Sequence, residues 1–470
     1  MRRLLLALLL AAGCSSNSPG APPDGGDGGQ SDAGDAGPTW STPATLDSNS
    51  GAGFDLAATV DPSGKPAVAY FRQDANSFDA TCNQTLGCPQ FALVVARETS
   101  PGTWTTEDVP ASLTGGDLNG HYGVSLAFDN QGNPAVVYMG GDTSQNDPEF
   151  SDNRWKDFAT GAPLPSDWVV ARKSGSTWSK TTLATSSDSI VSDAAQIGSQ
   201  VDDNGPVVGL WAGIVFDADG TFHGVHRDVH FAADFSAFTD SNLEYGHFSA
   251  SNAKLAGEMV GSNRYPSGQL IAGAGTYTSL VLAGGQPAVS FALGPNQPND
   301  STQVWFAKRT GANAWTRTQV SNVTGRVGHG PSLAYSASQG FAIGFLDATQ
   351  GDLLVATSSD GLTWGTPNTI EALGETGYHP AAAWSGSTLG ILYAYCHDPV
   401  YSGSDPCDPT SRQLRFRVPG SDGPTGAWND PEKVDSDVPE ATAMVTDSSG
   451  KFVAIWRAPG GTVKFSRRTP

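Results

Sequence analysis

His223, His226, Asp228 and His230 form the densest histidine group in this 470-residue chain. In an extended strand, residues two apart share a face. His226, Asp228 and His230 would then present imidazole nitrogens and a carboxylate oxygen to one divalent metal, the cofactor these residues point to. A hydrogen-bonded cluster at the rim of a domain would use the same side chains. Arg72, Arg227 and Arg457 carry a second kind of chemistry, fixed positive charge in a chain whose formal net charge is −21. Guanidinium groups gathered at a concavity suit an anionic ligand such as a sugar carboxylate, unless they pair with Asp55, Asp228 and Glu440. Trp211, Tyr122 and Tyr277 are suited to stacking on sugar faces, and His121, His329 and His379 to exchanging a proton near neutral pH. The chain carries no Ser-His-Asp nucleophile motif, phosphate loop or basic-aromatic stripe.

A repeat gives these scattered residues a common place. In the stretch 208–228 an apolar strand runs into the turn Asp217-Ala-Asp-Gly220 and a second apolar strand runs out of it. Period-two alternation on both sides of a turn whose glycine can take positive φ reads as an antiparallel hairpin. Copies stand at 56–70, with Asp61 and Gly64, and at 125–138, with Asp129 and Gly132. Looser copies follow at 279–291, 332–345, 381–395 and 443–456, which makes seven. After the hairpins come third strands at 93–97, 169–172, 305–308, 353–356 and 414–416, then Trp104, Trp178, Trp315, Trp364 and Trp428. Each fourth strand is therefore expected to open on tryptophan. The last copy ends at 463–466 without a fourth strand, while 39–46, containing Trp40, has no hairpin before it. Pairing the two closes a ring and removes exposed sheet edges. The expected fold is all-β, a seven-bladed β-propeller of four-stranded blades closed by pairing the N-terminal strand with the C-terminal blade. A two-sheet sandwich gives no reason for this complementarity of the ends.

Antiparallel pairing selects one face. The first strand of a blade begins, and the second ends, on the same side, so the residues before the first strands ring the mouth of the central channel. By the repeat alignment these are Asp55, His121, Tyr122, Trp211, Tyr277, His329, Tyr378, His379 and Glu440. Arg227 and Arg457 fall at the ends of second strands and Arg72 one residue further on. The long insertions 73–90, 139–167, 229–242 and 396–413 lie on that same side. Polar and aromatic groups converging on a concavity make a ligand site there, although propeller rims are commonly polar and aromatic in any case.

The N-terminus carries a different message. Arg2-Arg3 precede an apolar run too short to span a bilayer, and Leu10-Ala-Ala-Gly-Cys14 resembles a bacterial lipobox. That resemblance implies that residues 1–14 are a lipoprotein signal peptide ending at a lipidated Cys14, with Ala11 where leucine is usual. Ser15 leans toward an outer-membrane or cell-surface location. Residues 15–38 are Gly, Ser, Pro and Asp without apolar periodicity, and read as a disordered tether ahead of a folded 39–470. Cys82 with Cys88, and Cys396 with Cys407, are expected to form two local disulfides in an oxidising, extracytoplasmic compartment. The acidic balance disfavours nucleic acid as a partner. The expected partners are the membrane, through the lipid, and a glycan or surface protein; a monomer is expected.

Ser358-Ser-Asp360-Gly-Leu-Thr-Trp364 resembles the Asp-box of sialidase-like propellers, one residue shorter than the usual spacing and present once. The Phe/Tyr-Arg-Ile-Pro signature of sialidases is absent. Three function classes follow: a non-catalytic module binding a glycan or protein at the loop-rich face, a sialidase-like hydrolase or polysaccharide lyase acting on an acidic glycan, and a scaffold of an envelope complex.

Overall fold

In three of the repeat units an aspartate ties the hairpin turn. In the first unit Asp61 Oδ1 accepts from the backbone N–H of Ser63 at 2.9 Å and of Lys65 at 3.0 Å, and Gly64 takes φ +74°. Asp129 and Asp447 hold their turns in the same way. The computed structural model describes residues 38–79, 88–110, 123–140, 166–185, 189–190, 202–203, 207–231, 238–262, 276–293, 303–321, 330–347, 350–372, 376–396 and 412–469. Among them there is no helix, and the strands form seven four-stranded antiparallel blades and one short two-stranded pair, Ser189–Ile190 with Asp202–Asp203.

Blade 1 is Phe54–Val60, Pro66–Asp79, Cys88–Ser100 and Thr103–Asp108; blade 2 is Val124–Phe128, Pro134–Gly140, Asp167–Ser174 and Thr177–Ala184. Blade 3 is Val207–Phe216, Phe222–Phe231, Phe238–Phe248 and Lys254–Ser262, and blade 4 is Thr276–Ala283, Gln286–Leu293, Gln303–Gly311 and Ala314–Gln319. Blade 5 is Ser332–Ser336, Gly340–Asp347, Asp352–Ser358 and Asn368–Glu371, and blade 6 is Thr376–Ser385, Thr388–Tyr395, Gln413–Arg417 and Glu432–Asp435. Blade 7 takes Ala441–Thr446, Phe452–Arg457 and Val463–Arg467 from the C-terminus and Ala44–Asp47 from the N-terminus, with Ala44 opposite Phe465 and Asp47 opposite Val463. The ring is closed as the ends of the sequence imply. First strands touch their neighbours all the way round, blade 7 returning to blade 1.

The apolar core is divided into pads between blades, since each sheet buries both faces against its neighbours. Phe71, Leu93, Tyr138 and Val169 fill the pad between blades 1 and 2, and Val68, Tyr70, Ile455 and Phe465 that between blades 7 and 1. Serine hydroxyls add links between first strands: Ser125 Oγ accepts from Ile214 N, and Ser332 Oγ from Ala382 N at 2.9 Å.

Two expectations need correcting. The insertions at 73–90 and 229–242 are not wholly loop, because the strands run on through them: Asp74 pairs with Gln90, Asp79 with Cys88, and His230 with Asp240. Tryptophan opens the fourth strand in blades 1, 2 and 4 and is missing from that of blade 3, Lys254–Ser262, while in blades 5, 6 and 7 the strand starts after Trp364, Trp428 and Trp40, at Asn368, Glu432 and Ala44. In all three a proline, Pro367, Pro431 or Pro43, immediately precedes the strand. Proline has no N–H to give the ladder, so regular pairing begins behind it.

Candidate functional site

The starts of four first strands are built alike. In blades 1, 3, 4 and 6 two residues of the first strand face one residue of the second: Asp55 and Leu56 opposite Tyr70, Trp211 and Ala212 opposite His226, Tyr277 and Thr278 opposite Phe291, His379 and Pro380 opposite Tyr393. The first residue of each pair is left-handed although none is glycine, with φ of 53°, 46°, 53° and 49°. These are β-bulges, which bend a strand and re-aim its side chains. The αL backbone costs an L-residue of order 1 kcal/mol or more, so the surroundings must hold it. Part of that hold comes from the following blade, where the Thr278 hydroxyl donates to the Trp211 carbonyl and the Thr442 hydroxyl to the His379 carbonyl. Gly209 and Gly123 are required by close packing: a Cβ on Gly209 would lie 2.8 Å from the Asp167 carbonyl oxygen, and one on Gly123 would lie 2.7 Å from Trp211 Cα.

Blades 3 and 4 bring three of the expected site residues together. The Trp211 and Tyr277 rings are 5.2 Å apart, and the Arg227 guanidinium lies 5.3 Å from the Trp211 ring centre. Arg227 is 1% exposed, and burial pulls it down to about 10 against the opposing influence of Tyr277 and Asp228, so it stays cationic at neutral pH. Blades 7 and 1 form a second group. Arg457 pairs with Glu440, donates from Nε to the Ala52 carbonyl at 3.0 Å and lies 3.9 Å from the Phe54 ring centre. Burial lowers its affinity for a proton and the Asp55 charge opposes this. Asp55 Oδ2 accepts from Gly123 N at 3.2 Å. Tyr378 and His379 are neighbouring rings in blade 6, 6.4 Å apart.

Arg72 stands apart from these groups. It is held by the two oxygens of Asp108, on the outermost strand of its own blade, at 3.0 and 2.6 Å. His121, Tyr122 and His329 lie outside the described residues, as do Cys14 with the whole of 1–37, Cys82 and Cys407. Cys396 directly follows the second strand of blade 6, wholly buried and with φ 64°.

The proposed metal ligands on the second strand of blade 3 meet a different environment from an open rim. His226 is 1% exposed, accepts at Nδ1 from Gly209 N at 3.2 Å, places Nε2 3.3 Å from Glu244 and packs on the Trp168 ring at 4.5 Å. Burial pushes it down to about 4, so the ring is neutral at physiological pH. Asp228 is 0% exposed. The strand continues to Phe231, so the alternation that aligns 226, 228 and 230 persists, but the His230 side chain lies outside the described residues. Among the described residues the cluster that could hold a metal lies elsewhere in the blade and is composed of Asp217, His223 and His247. His247 escaped the sequence reading because it is 24 residues from His223, and only the register between second and third strands sets them opposite one another.

The Ser358–Trp364 stretch forms the turn between the third and fourth strands of blade 5. Asp360 Oδ1 accepts from Leu362 N at 2.7 Å and Thr363 N at 3.0 Å, and Trp364 packs on Phe306.

No family model matches the chain, and no curated protein does. Solved structures match it at low identity. The NanB sialidase of Streptococcus pneumoniae is 12% identical over 90% of this chain and 68% of its own, with a TM-score of 0.42. The intramolecular trans-sialidase of Ruminococcus gnavus is 12% identical over 90% of this chain and 95% of its own, at 0.41. A fungal alcohol oxidase of the AA5 family in complex with copper is 11% identical over 92% and 76%, at 0.48.

Proposed function

We propose that the protein is a lipid-anchored, extracytoplasmic propeller that binds a polar ligand, a glycan or a surface protein, at the face where the first strands begin. The observation that carries this reading is the set of four non-glycine αL bulges at Asp55, Trp211, Tyr277 and His379. Strained backbone that serves only to join strands is expected to be relieved by glycine, whereas these four positions hold an acid, two large aromatics and an imidazole. Trp211 and Tyr277 form an aromatic step backed by the buried Arg227 charge, a surface suited to the face of a sugar ring. Arg72, Arg457 and Arg227 are engaged by Asp108, Glu440 and the Trp211 ring, which favours a ligand recognised by stacking and hydrogen bonds over one clamped by free arginines. A carbohydrate-active enzyme on the same face remains the second reading, supported by an imidazole, His379 of blade 6, and a carboxylate, Asp55 of blade 1, at equivalent bulge positions. In this proposal the Asp360 turn is an Asp-box-like element of the scaffold, and the pairs Cys82–Cys88 and Cys396–Cys407 staple the rim.

A glycan-array and turnover screen of the protein and its Trp211→Ala variant tests the site. Loss of the aromatic face is expected to weaken binding at least 10-fold, since stacked aromatics dominate such contacts. Binding equal in the two proteins would remove the rim from consideration, and turnover abolished by His379→Ala would move the assignment to the enzyme class. Anchoring has its own test. Cys14→Ser is expected to shift the protein from the detergent phase to the aqueous phase in Triton X-114 partitioning, and retention in detergent would refute the lipid anchor.

A further inference from the structure

A cluster on the opposite face of blade 3 breaks the repeat in an informative way. In blades 1, 2 and 7 the turn aspartate faces an arginine of the third strand: Asp61 with Arg97 at 3.3 Å, Asp129 with Arg172 at 3.5 Å, Asp447 with Arg467 at 3.3 Å. These arginines pair across the ladder with Ala67, Ala135 and Val453, each the second residue of its second strand. In blade 3 the corresponding ladder pair is His223 and His247. The aspartate remains, the fixed cation opposite it is gone, and two imidazoles stand where an aliphatic residue and an arginine stand elsewhere.

Asp217 also gives up its usual local task. In the other three blades the first aspartate accepts the backbone N–H groups of its own turn, but here Asp219 Oδ1 takes Thr221 N at 2.9 Å. The Asp217 carboxylate turns instead to His223, with Oδ2 2.8 Å from Nε2, and His223 is its only ion-pair partner among the described residues. The Tyr245 hydroxyl lies 2.6 Å from His223 Nδ1, which fixes the ring and leaves Nε2 for a ligand bond, the arrangement of an outer-shell partner behind a metal-bound histidine. The rings of His223 and His247 stack at 4.5 Å, and buried Nε2 of His247 has no hydrogen-bond partner among the described residues. One donor atom from each of Asp217, His223 and His247 lies within 4.8 Å of the others.

We propose that Asp217, His223 and His247 form a binding site for a divalent transition metal of the zinc class, replacing by a bound cation the arginine that blades 1, 2 and 7 carry. Two imidazole nitrogens and one carboxylate oxygen are a zinc donor set with one position left open. The Asp217 side chain is 26% exposed, so the site can be reached from solvent. It is distinct from the rim, since the turns joining first and second strands lie on the face opposite the bulges.

The test is zinc titration of the chelator-stripped full-length protein by calorimetry, with Co²⁺ absorption as a report on coordination. One equivalent of zinc is expected, with His247→Ala weakening it about 100-fold or more and Tyr245→Phe about 10-fold. His247→Arg restores the residue used in blades 1, 2 and 7, so it should fold as the parent does, bind no zinc and lose the Co²⁺ spectrum. Unchanged affinity in His247→Arg would overturn the proposal, as would loss of binding in His230→Ala with retention in His247→Arg, or a parent protein that takes up no zinc.

Discussion

Replacing Glu258 with alanine is expected to destabilise the propeller by about 3 kcal/mol, the cost of removing one partner of a buried ion pair and leaving the other charge uncompensated. Glu258, 2% exposed on the outermost strand of blade 3, receives Arg309 Nη2 at 2.7 Å, Asn313 N at 3.0 Å and Trp315 Nε1 at 2.8 Å, all from blade 4. It is one copy of a clasp between adjacent blades. Glu107 of blade 1 accepts from Lys173 and Trp178 of blade 2, and Glu432 of blade 6 from Trp40 and Arg468 of blade 7. Arg309 also lies 5.4 Å from the Tyr245 ring centre, so the charge left by the substitution stays partly enclosed. Urea unfolding should show a lower midpoint for Glu258→Ala, and a double variant with Arg309→Met should recover part of the loss. The pH dependence has a definite sign. Burial pushes the Glu258 carboxyl up, but the bonds from Arg309, Asn313 and Trp315 outweigh it and hold the group below its ordinary 4.5. Such a carboxylate contributes its stability above the unfolded value and loses it as pH falls through the lower folded value. The parent should therefore lose stability on acidification below about 4.5 by a component that Glu258→Gln lacks. Superposable acid profiles, or an Ala variant as stable as the parent, would remove the clasp from the account.

The ring was legible because its evidence is spread over the chain: a hairpin needs only alternation and a turn, and seven of them with complementary ends leave few ways to close. The clasp residues were half visible. Trp178, Trp315 and Trp40 mark the fourth strands in the sequence, but their glutamates belong to the preceding blade, at a distance fixed by sheet packing and not by spacing. The same limit explains the rim. Asp55, Trp211 and His379 each follow a glycine by two positions, Gly53, Gly209 and Gly377, at φ of 93°, 91° and 93°. Blades 2 and 5 have the glycine too, at Gly123 and Gly330, but a serine two residues on and an unbroken first-strand register. Gly-x-Ser against Gly-x-large is thus a readable signal whose meaning, a bulge, appears only in the paired strands. For His223 and His247 the sequence shows two histidines, and the missing arginine becomes apparent once the blades are superposed by register.

Deleting residues 38–47 should have the largest effect of all, because it removes the fourth strand of the blade that joins the two ends of the ring. The segment does more than add ladder bonds. Ser41 N donates to the Arg467 carbonyl at 2.9 Å, Ser466 Oγ donates to the Ser41 carbonyl at 2.6 Å, and Asp47 Oδ2 accepts the Tyr70 hydroxyl at 2.7 Å, tying blade 7 to blade 1. Leu46 packs with the pad between those blades, and Trp40 meets Phe416 edge-on at 5.1 Å while donating to Glu432 at 3.0 Å in blade 6. Without the segment, Val463–Arg467 becomes an unpaired edge in an otherwise edge-protected ring, open to pairing between molecules. The expected result is loss of the cooperative thermal transition, or its displacement by well over 10 °C on the scale of a few degrees per kcal/mol, together with concentration-dependent association in sedimentation. Trp40→Ala, which keeps the ladder and removes one side chain, should cost about 2 to 3 kcal/mol. A synthetic peptide of residues 38–48 added to the deleted protein should restore part of the transition by filling the vacant edge. If the deleted protein melts as the parent does, the closing strand does not hold the ring. If the peptide restores nothing while Trp40→Ala matches the full deletion, the indole and not the ladder is what joins blades 6 and 7.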